Sequence, residues 1–129
     1  MFQLDRLDHL VLTVADLDAT IDFYTRALGM RAVTFGEERR ALVFGRQKIN
    51  LHPAGREFEP KAAAPLPGSA DLCFITEAPL EEVMAHLESE GVALLLPPSP
   101  RTGATGPIRS VYLRDPDGNL IEISNYQSD

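Results

Sequence analysis

LDHLVLTV (7–14) and SADLCFIT (69–76) are the two stretches on which the fold of this chain turns. Both are strand-like runs, and a helical pattern follows each within a few residues. After the first, the spacing predicts a helix over about 17–28, with Asp16 or Asp18 as the capping residue. Leu17, Ile21, Tyr24 and Leu28 supply its apolar stripe, and Gly29 is placed to stop it. After the second, a helix is predicted over about 79–90. Pro79 suits its first turn, and Glu81 and Glu82 lie at the positive end of its dipole. Leu80, Val83, Met84 and Leu87 form its stripe, and Gly91 closes it. Shorter strands follow each helix, at about 30–35, 40–45 and 47–52 in the first half and about 92–96, 110–114 and 119–125 in the second.

The pattern is therefore βαβββ twice over, an α+β protein with an internal repeat. The modules span about 5–52 and 69–126, and a linker covers about 53–68. HPAGREFEPKAAAPLPGS (52–69) has the Pro, Ala and Gly content of an extended connection. FGRQK (44–48) and DPDGN (115–119) carry turn chemistry, with Gly45 and Gly118 free to take positive φ. A module of about 60 residues buries a poor core alone, so residues 1–129 are expected to act as one domain.

Composition narrows the function classes. The chain has 129 residues, 44% of them hydrophobic, enough to build a core. Its formal charge of −7 disfavours nucleic acid as a partner. The sequence lacks an apolar run long enough for a membrane span. Acidic residues interrupt the apolar stretch of MFQLDRLDHL, so no leader peptide is expected. The single cysteine, Cys73, cannot form an internal disulfide. A cytoplasmic location is the expectation that follows.

Strand alternation then sorts side chains by face. Leu10, Leu12 and Val14 should pack under the first helix, which sends His9 to the opposite, concave face. In KINLH (48–52), Lys48, Asn50 and His52 take that face; in LIEIS (120–124), Leu120, Glu122 and Ser124 do; in SADLCFIT, Asp71, Cys73 and Ile75 do. The repeat pairs His9 with Asp71, Asn50 with Glu122, and His52 with Ser124. A carboxylate among apolar strands is costly unless something compensates it. Imidazole with carboxylates on one face is a donor set for a divalent metal. Each residue alone has an ordinary alternative: a packed histidine, a strand-start Asp71, a solvated Glu122, a loop His52 before Pro53. His86 falls off its helix stripe and reads as solvated, and Cys73 reads as packing.

LDHLVLTVADLDATIDFYTRALGM (7–30) and YLRDPDGNLIEISNY (112–126) resemble the opening and closing motifs of the vicinal oxygen chelate superfamily. This is the glyoxalase, bleomycin-resistance and extradiol dioxygenase group. FGRQKINLHPAGREFEPKAAAPLPGSADLCFIT (44–76) is similar to a narrower set within it, the glyoxalase-domain-containing, virulence-associated proteins. The resemblance implies two βαβββ modules packed into a half-open mixed β-barrel with helices on the outside. It implies metal ligands at His9, Asn50, Asp71 and Glu122. His9 and Glu122 match the expected ligand types. Asn50 stands where glyoxalase I enzymes carry a carboxylate, and Asp71 stands where histidine or glutamate is usual. His52, on the same face as Asn50, is an alternative ligand, giving His9, His52 and Glu122.

The implied function is metal-dependent: a lyase, isomerase or dioxygenase acting on a small oxygenated, possibly anionic molecule through a chelated enolate or oxyanion. Manganese, iron, nickel and zinc all suit such donors. A carboxylate not committed to metal, Asp71 or Glu122, would be the general base. The alternative is a metal-free protein that sequesters a small molecule, as bleomycin-resistance proteins do. A fosfomycin-modifying activity fits less well because of Asp71. A homodimer is expected, since the open sheet edges need cover. PSPRTGATGPIRS (98–110) reads as a Gly- and Pro-rich loop, either a plain connection or a lid. Arg101, with Lys61 and Asn50, is expected to contact substrate.

Overall fold

In the computed structural model, which describes residues 1–127, the elements run β1 (His9–Val14), α1 (Leu17–Arg26), β2 (Arg31–Phe35), β3 (Arg39–Phe44) and β4 (Gln47–Pro53) in the first half. The second half contains β5 (Asp71–Ile75), α2 (Leu80–Ser89), β6 (Ser99–Thr102), β7 (Pro107–Arg114) and β8 (Leu120–Tyr126). Residues 128 and 129 of the expected domain lie outside the described residues. The chain divides into two units, Met1–Pro67 and Gly68–Asp129.

The strand order is the same in both. The first sheet runs β1-β4-β3-β2 and the second β5-β8-β7-β6. In each, the strand before the helix pairs in parallel with the last strand, and the remaining pairs are antiparallel. A parallel pair needs a long crossover, which the helix and hairpin supply. This is the α+β, doubled βαβββ architecture expected from the sequence, and neither sheet closes into a barrel among the described residues.

The apolar faces fall where alternation puts them. Leu12, Val14, Leu42, Ile49 and Leu51 are buried in the first unit; Leu80, Leu87, Val111, Leu113 and Ile121 are buried in the second. Helix α1 is turned from the expected stripe. Thr20, Phe23, Tyr24 and Ala27 are its buried residues, an i, i+3, i+4, i+7 set that leaves Leu17, Ile21 and Leu28 only half-buried.

Helix starts are built differently in the two units. Asp16 caps α1, its Oδ1 accepting the Ala19 N–H at 3.0 Å. Pro79 heads α2 and offers no side-chain cap. Asn125 of β8 does that work, accepting the Leu80 N–H at 3.0 Å and donating to the Thr76 and Ala78 carbonyls at 2.8 and 2.9 Å.

Three local expectations change. Residues 92–96 form no strand; the edge strand is β6, beginning at Ser99. Pro97 and Pro98 lack the N–H groups a ladder needs, so regular pairing starts only beyond them. PSPRTGATGPIRS is consequently a β6–β7 hairpin with its turn at 103–106, not a loop. The stretch after β4 is turn-rich and folds back on the first unit, with Phe58 edge-on to His52 at a ring distance of 5.3 Å.

DPDGN is clamped by its two buried ends, Asp115 and Asn119. Asp115 Oδ1 accepts the N–H groups of Asp117 and Asn119, each at 2.9 Å. Asn119 Nδ2 donates to Asp115 Oδ2 at 2.8 Å, and Asn119 Oδ1 accepts the Ala70 N–H at 2.9 Å. The turn thus fixes the entry of β5. Gly68 completes it: a Cβ there would lie 2.6 Å from the Asp117 carbonyl oxygen.

Candidate functional site

Strand register turns the repeat into geometry. His9 pairs with Lys48 on β4 and Asp71 pairs with Leu120 on β8. Asn50 and Glu122 therefore occupy equivalent places, two residues beyond those partners, and His52 is equivalent to Ser124. Two residues is an offset of about 7 Å. His52 lies four residues beyond Lys48, roughly 13 Å along the strand from the level of His9. The register thus holds the two histidines well apart.

Their surroundings differ as well. His9 is exposed, and its Nδ1 lies 2.8 Å from Asp8 Oδ2. That hydrogen bond holds the Asp8 carboxyl below its usual range. His52 is buried, with 3% exposure. Its Nε2 accepts a hydrogen bond from Arg39 at 3.4 Å. Burial and then the Arg39 charge hold its pKa below the ordinary imidazole range, so it is neutral. Asn50 is buried, and its Oδ1 has no hydrogen-bond partner.

In the second unit Glu122 stands opposite Cys73 on β5 and Tyr112 on β7. Ser110 Oγ donates to Glu122 Oε2 at 2.5 Å. Ser110 and Ser124 hydroxyls are 2.6 Å apart, and Cys73 Sγ is 3.4 Å from Ser124 Oγ. The order Cys73, Ser124, Ser110, Glu122 lets each S–H or O–H donate to the next group and end on the carboxylate. Burial pushes the Cys73 thiol up, so it keeps its proton and serves as a donor. Asp71 lies exposed at the start of β5.

Glu122 opens into a cavity of about 370 Å³ within this unit, lined among others by Cys73, Ile75, Arg101, Tyr112 and Tyr126. That volume suits a small organic molecule. Arg101 Nε donates to Tyr112 Oη at 2.9 Å, with its guanidinium 5.3 Å from the Tyr112 ring centre. Tyr126 Oη accepts the Thr105 N–H at 3.2 Å. Donation from Thr105 lowers the phenol pKa. Gly103 makes this approach possible, since a Cβ there would sit 2.9 Å from both Tyr126 Oη and Ile108 Cγ2.

Of the expected substrate contacts, Arg101 lines the cavity. Lys61 does not; it pairs with Glu59 at 3.2 Å and Glu57 at 3.7 Å. Ser110, Tyr112 and Tyr126 were not singled out from the sequence. Alternation along RSVYLR (109–114) puts Ser110 and Tyr112 on one face, a signal that points to both.

A profile of the Glyoxalase/Bleomycin resistance protein/Dioxygenase superfamily matches residues 6–123. The chain belongs to this superfamily. It is 59% identical over 123 residues to virulence protein STM3117 of Salmonella typhimurium, covering 95% of this chain and 85% of that protein. The crystal structure of that protein superposes with a TM-score of 0.96, at 58% identity over 98% of this chain and all of the solved one (100%). A glyoxalase domain-containing protein of Mycosarcoma maydis, RDO1, is 59% identical over 121 residues, 94% of this chain and 68% of its own. A lactoylglutathione lyase from Agrobacterium tumefaciens shares 25% identity at a TM-score of 0.71, with 95% and 94% of the two chains covered.

The superfamily implies a metal. The donors are of the right kind, imidazole, carboxylate and a buried amide oxygen without a partner. Among the described residues, however, no three His, Cys, Asp or Glu side chains converge on one point. No helix of the described residues is long and apolar enough to cross a membrane.

Proposed function

We propose that this chain is a metal-dependent enzyme acting on a small oxygenated molecule held in the cavity beside Glu122, a lyase, isomerase or dioxygenase by class. The observation that carries the reading is Glu122 itself, a half-buried carboxylate gripped by the Ser110 hydroxyl at 2.5 Å and turned into a cavity of about 370 Å³. His9 and Glu122 would hold the ion, with Asn50 and Asp71 at the two remaining positions. A homodimer is the expected assembly. His52 is left out, because its Nε2 faces the Arg39 guanidinium.

When bound, the ion supplies Lewis-acid polarisation of substrate oxygens. The chain supplies the rest. Ser110 and Ser124 orient the Glu122 carboxylate, and Asp71 or Glu122, whichever leaves the ion's ligand set, takes a proton from substrate. Arg101, fixed on Tyr112, faces an anionic substrate group. An acidic chain with one cysteine suits the reducing cytoplasm.

Elemental analysis of untagged protein beside His9→Ala and Glu122→Ala tests the reading. About one metal per chain, lost in both variants, is the expected result. No binding of manganese, iron, nickel or zinc by the wild-type protein would overturn it, leaving a cavity that only binds.

A further inference from the structure

The first unit carries a feature that this reading does not use. Arg39 and Lys48 are half-buried cations on one face of its sheet, and both lie against one ring. The Lys48 Nζ is 4.1 Å from the Phe35 ring centre and the Arg39 guanidinium carbon is 5.1 Å from it. Phe58 flanks Arg39 on a second side at 4.6 Å, and His52 accepts one of its N–H groups at 3.4 Å.

Among the described residues neither cation forms an ion pair with a carboxylate, and the one carboxylate shown to act on Lys48 is Asp8. This is unexpected in a chain with 19 acidic against 12 basic residues. Asp8, which acts on Lys48, and Glu57, which acts on His52, each hold another partner. Asp8 pairs with His9, and Glu57 accepts the Gly55 N–H and pairs with Lys61. His52, neutral, adds no further positive charge beside the guanidinium. Like charges set against one ring and partly desolvated repel, and a bound anion offsets that repulsion. The aromatic contacts supply the geometry: the guanidinium lies over the Phe35 and Phe58 rings, and His52 accepts one of its N–H groups. A planar guanidinium fixed in this way keeps its remaining N–H groups in a fork that matches an oxyanion.

We infer that Arg39 and Lys48 form an anion site on the β2–β4 face of the first unit, taking the carboxylate or phosphate group of a small organic ligand, with Phe35 as its apolar side. His52 and Phe58 are positioning residues that set the guanidinium. The site does not depend on metal and draws on residues of the first unit alone.

The test is an amide-resonance titration of metal-stripped, full-length protein at constant ionic strength. Inorganic phosphate and benzoate are the probes, each against chloride. Saturable shifts confined to residues 31–53 are expected with at least one probe. Arg39→Gln and Lys48→Gln, each folded by the same spectrum, should weaken binding by about tenfold, as loss of one charge-assisted contact does. Arg46→Gln, which removes the same charge from the exposed β3–β4 turn, should change it less than about twofold. Binding of phosphate alone assigns a phosphate ester, and binding of benzoate alone assigns a carboxylate. No saturable shift with either probe overturns the inference. So does undiminished binding in both site variants, or an equal loss in Arg46→Gln. Metal stripping separates this outcome from the metal reading, which neither supports nor undermines it.

Discussion

The two halves share a strand order and differ in almost everything the strands display. The first presents Arg39, Lys48, His52 and an orphaned Asn50 on the face away from its helix. The second presents Glu122, Cys73, a pair of serines and two tyrosines on the equivalent face. Register is the same in both, so Asn50 and Glu122 occupy one topological position with opposite chemical consequences. Topology is set by the face that is buried, where only size and apolarity matter. The open face is free to diverge, which is how a duplicated fold acquires two unlike surfaces. The halves differ also in how their helices are started: α1 by the local side chain of Asp16, α2 by Asn125 reaching back 45 residues to Leu80.

The largest expected effect strikes the DPDGN turn of the second half. Asp115→Ala strips the acceptors from two backbone N–H groups and from the Asn119 amide, in a site with 6% and 1% exposure at Asp115 and Asn119. Leaving buried donors unpaired should cost about 3 kcal/mol. Urea unfolding measures it; a change under about 0.5 kcal/mol would mean the turn holds without its clamp. The first half has no counterpart, because its β3–β4 turn at Gly45 and Arg46 is exposed.

Helix caps sharpen the same contrast. Asn125→Ala removes one acceptor and two donations that tie α2 and residues 76–78 to β8, and should cost about 2 kcal/mol. Asp16→Ala removes one local cap and should cost about 1 kcal/mol. Equal losses in the two variants, compared by the same unfolding assay, would show that the long-range cap carries no extra stability.

That contrast explains what could be read from the sequence. Asp16 was legible as a cap because it sits beside its helix and needs only local pattern. Asn125 was not, since its partners are more than 40 residues away and nothing in SNY marks it. The βαβββ repeat was legible because apolar alternation and helical period are local. His9 and Glu122 could be assigned to the open face by alternation alone. The separation of His9 from His52 follows from parallel register, which strand pairing sets and face assignment does not. Arg39 and Phe58 escaped notice because their meeting depends on the path of residues 54–67 back across the sheet. The PSPRTGATGPIRS stretch looked like a loop because Gly and Pro dominate it, yet an edge strand tolerates Pro100, whose missing N–H faces no ladder partner.

Gly103 probes the hairpin that only the second half has built against its cavity. In Gly103→Ala the new methyl would meet Ile108 and Tyr126 at 2.9 Å and the Gly106 carbonyl at 3.0 Å. Overpacking of this kind should cost about 1 kcal/mol and open the turn. Thermal unfolding reads the stability, and loss of protection at the Thr105 amide in hydrogen exchange reads the turn. Wild-type values for both would mean the hairpin shifts freely to admit the methyl.

The smallest effect concerns one proton. The Thr105 side chain and then its N–H act on Tyr126 Oη, and donation favours the phenolate, so this group should ionise before an ordinary tyrosine. The sign fixes the pH window. A phenol with a lowered folded pKa adds stability only once pH rises through that value, and the contribution is complete above the unfolded pKa near 10. Ultraviolet titration of the three tyrosines should therefore resolve one early step, absent in Tyr126→Phe and delayed in Gly103→Ala. Three tyrosines titrating together would show that the turn leaves the phenol unperturbed, and the second half would then lose one of the features that set its open face apart from the first.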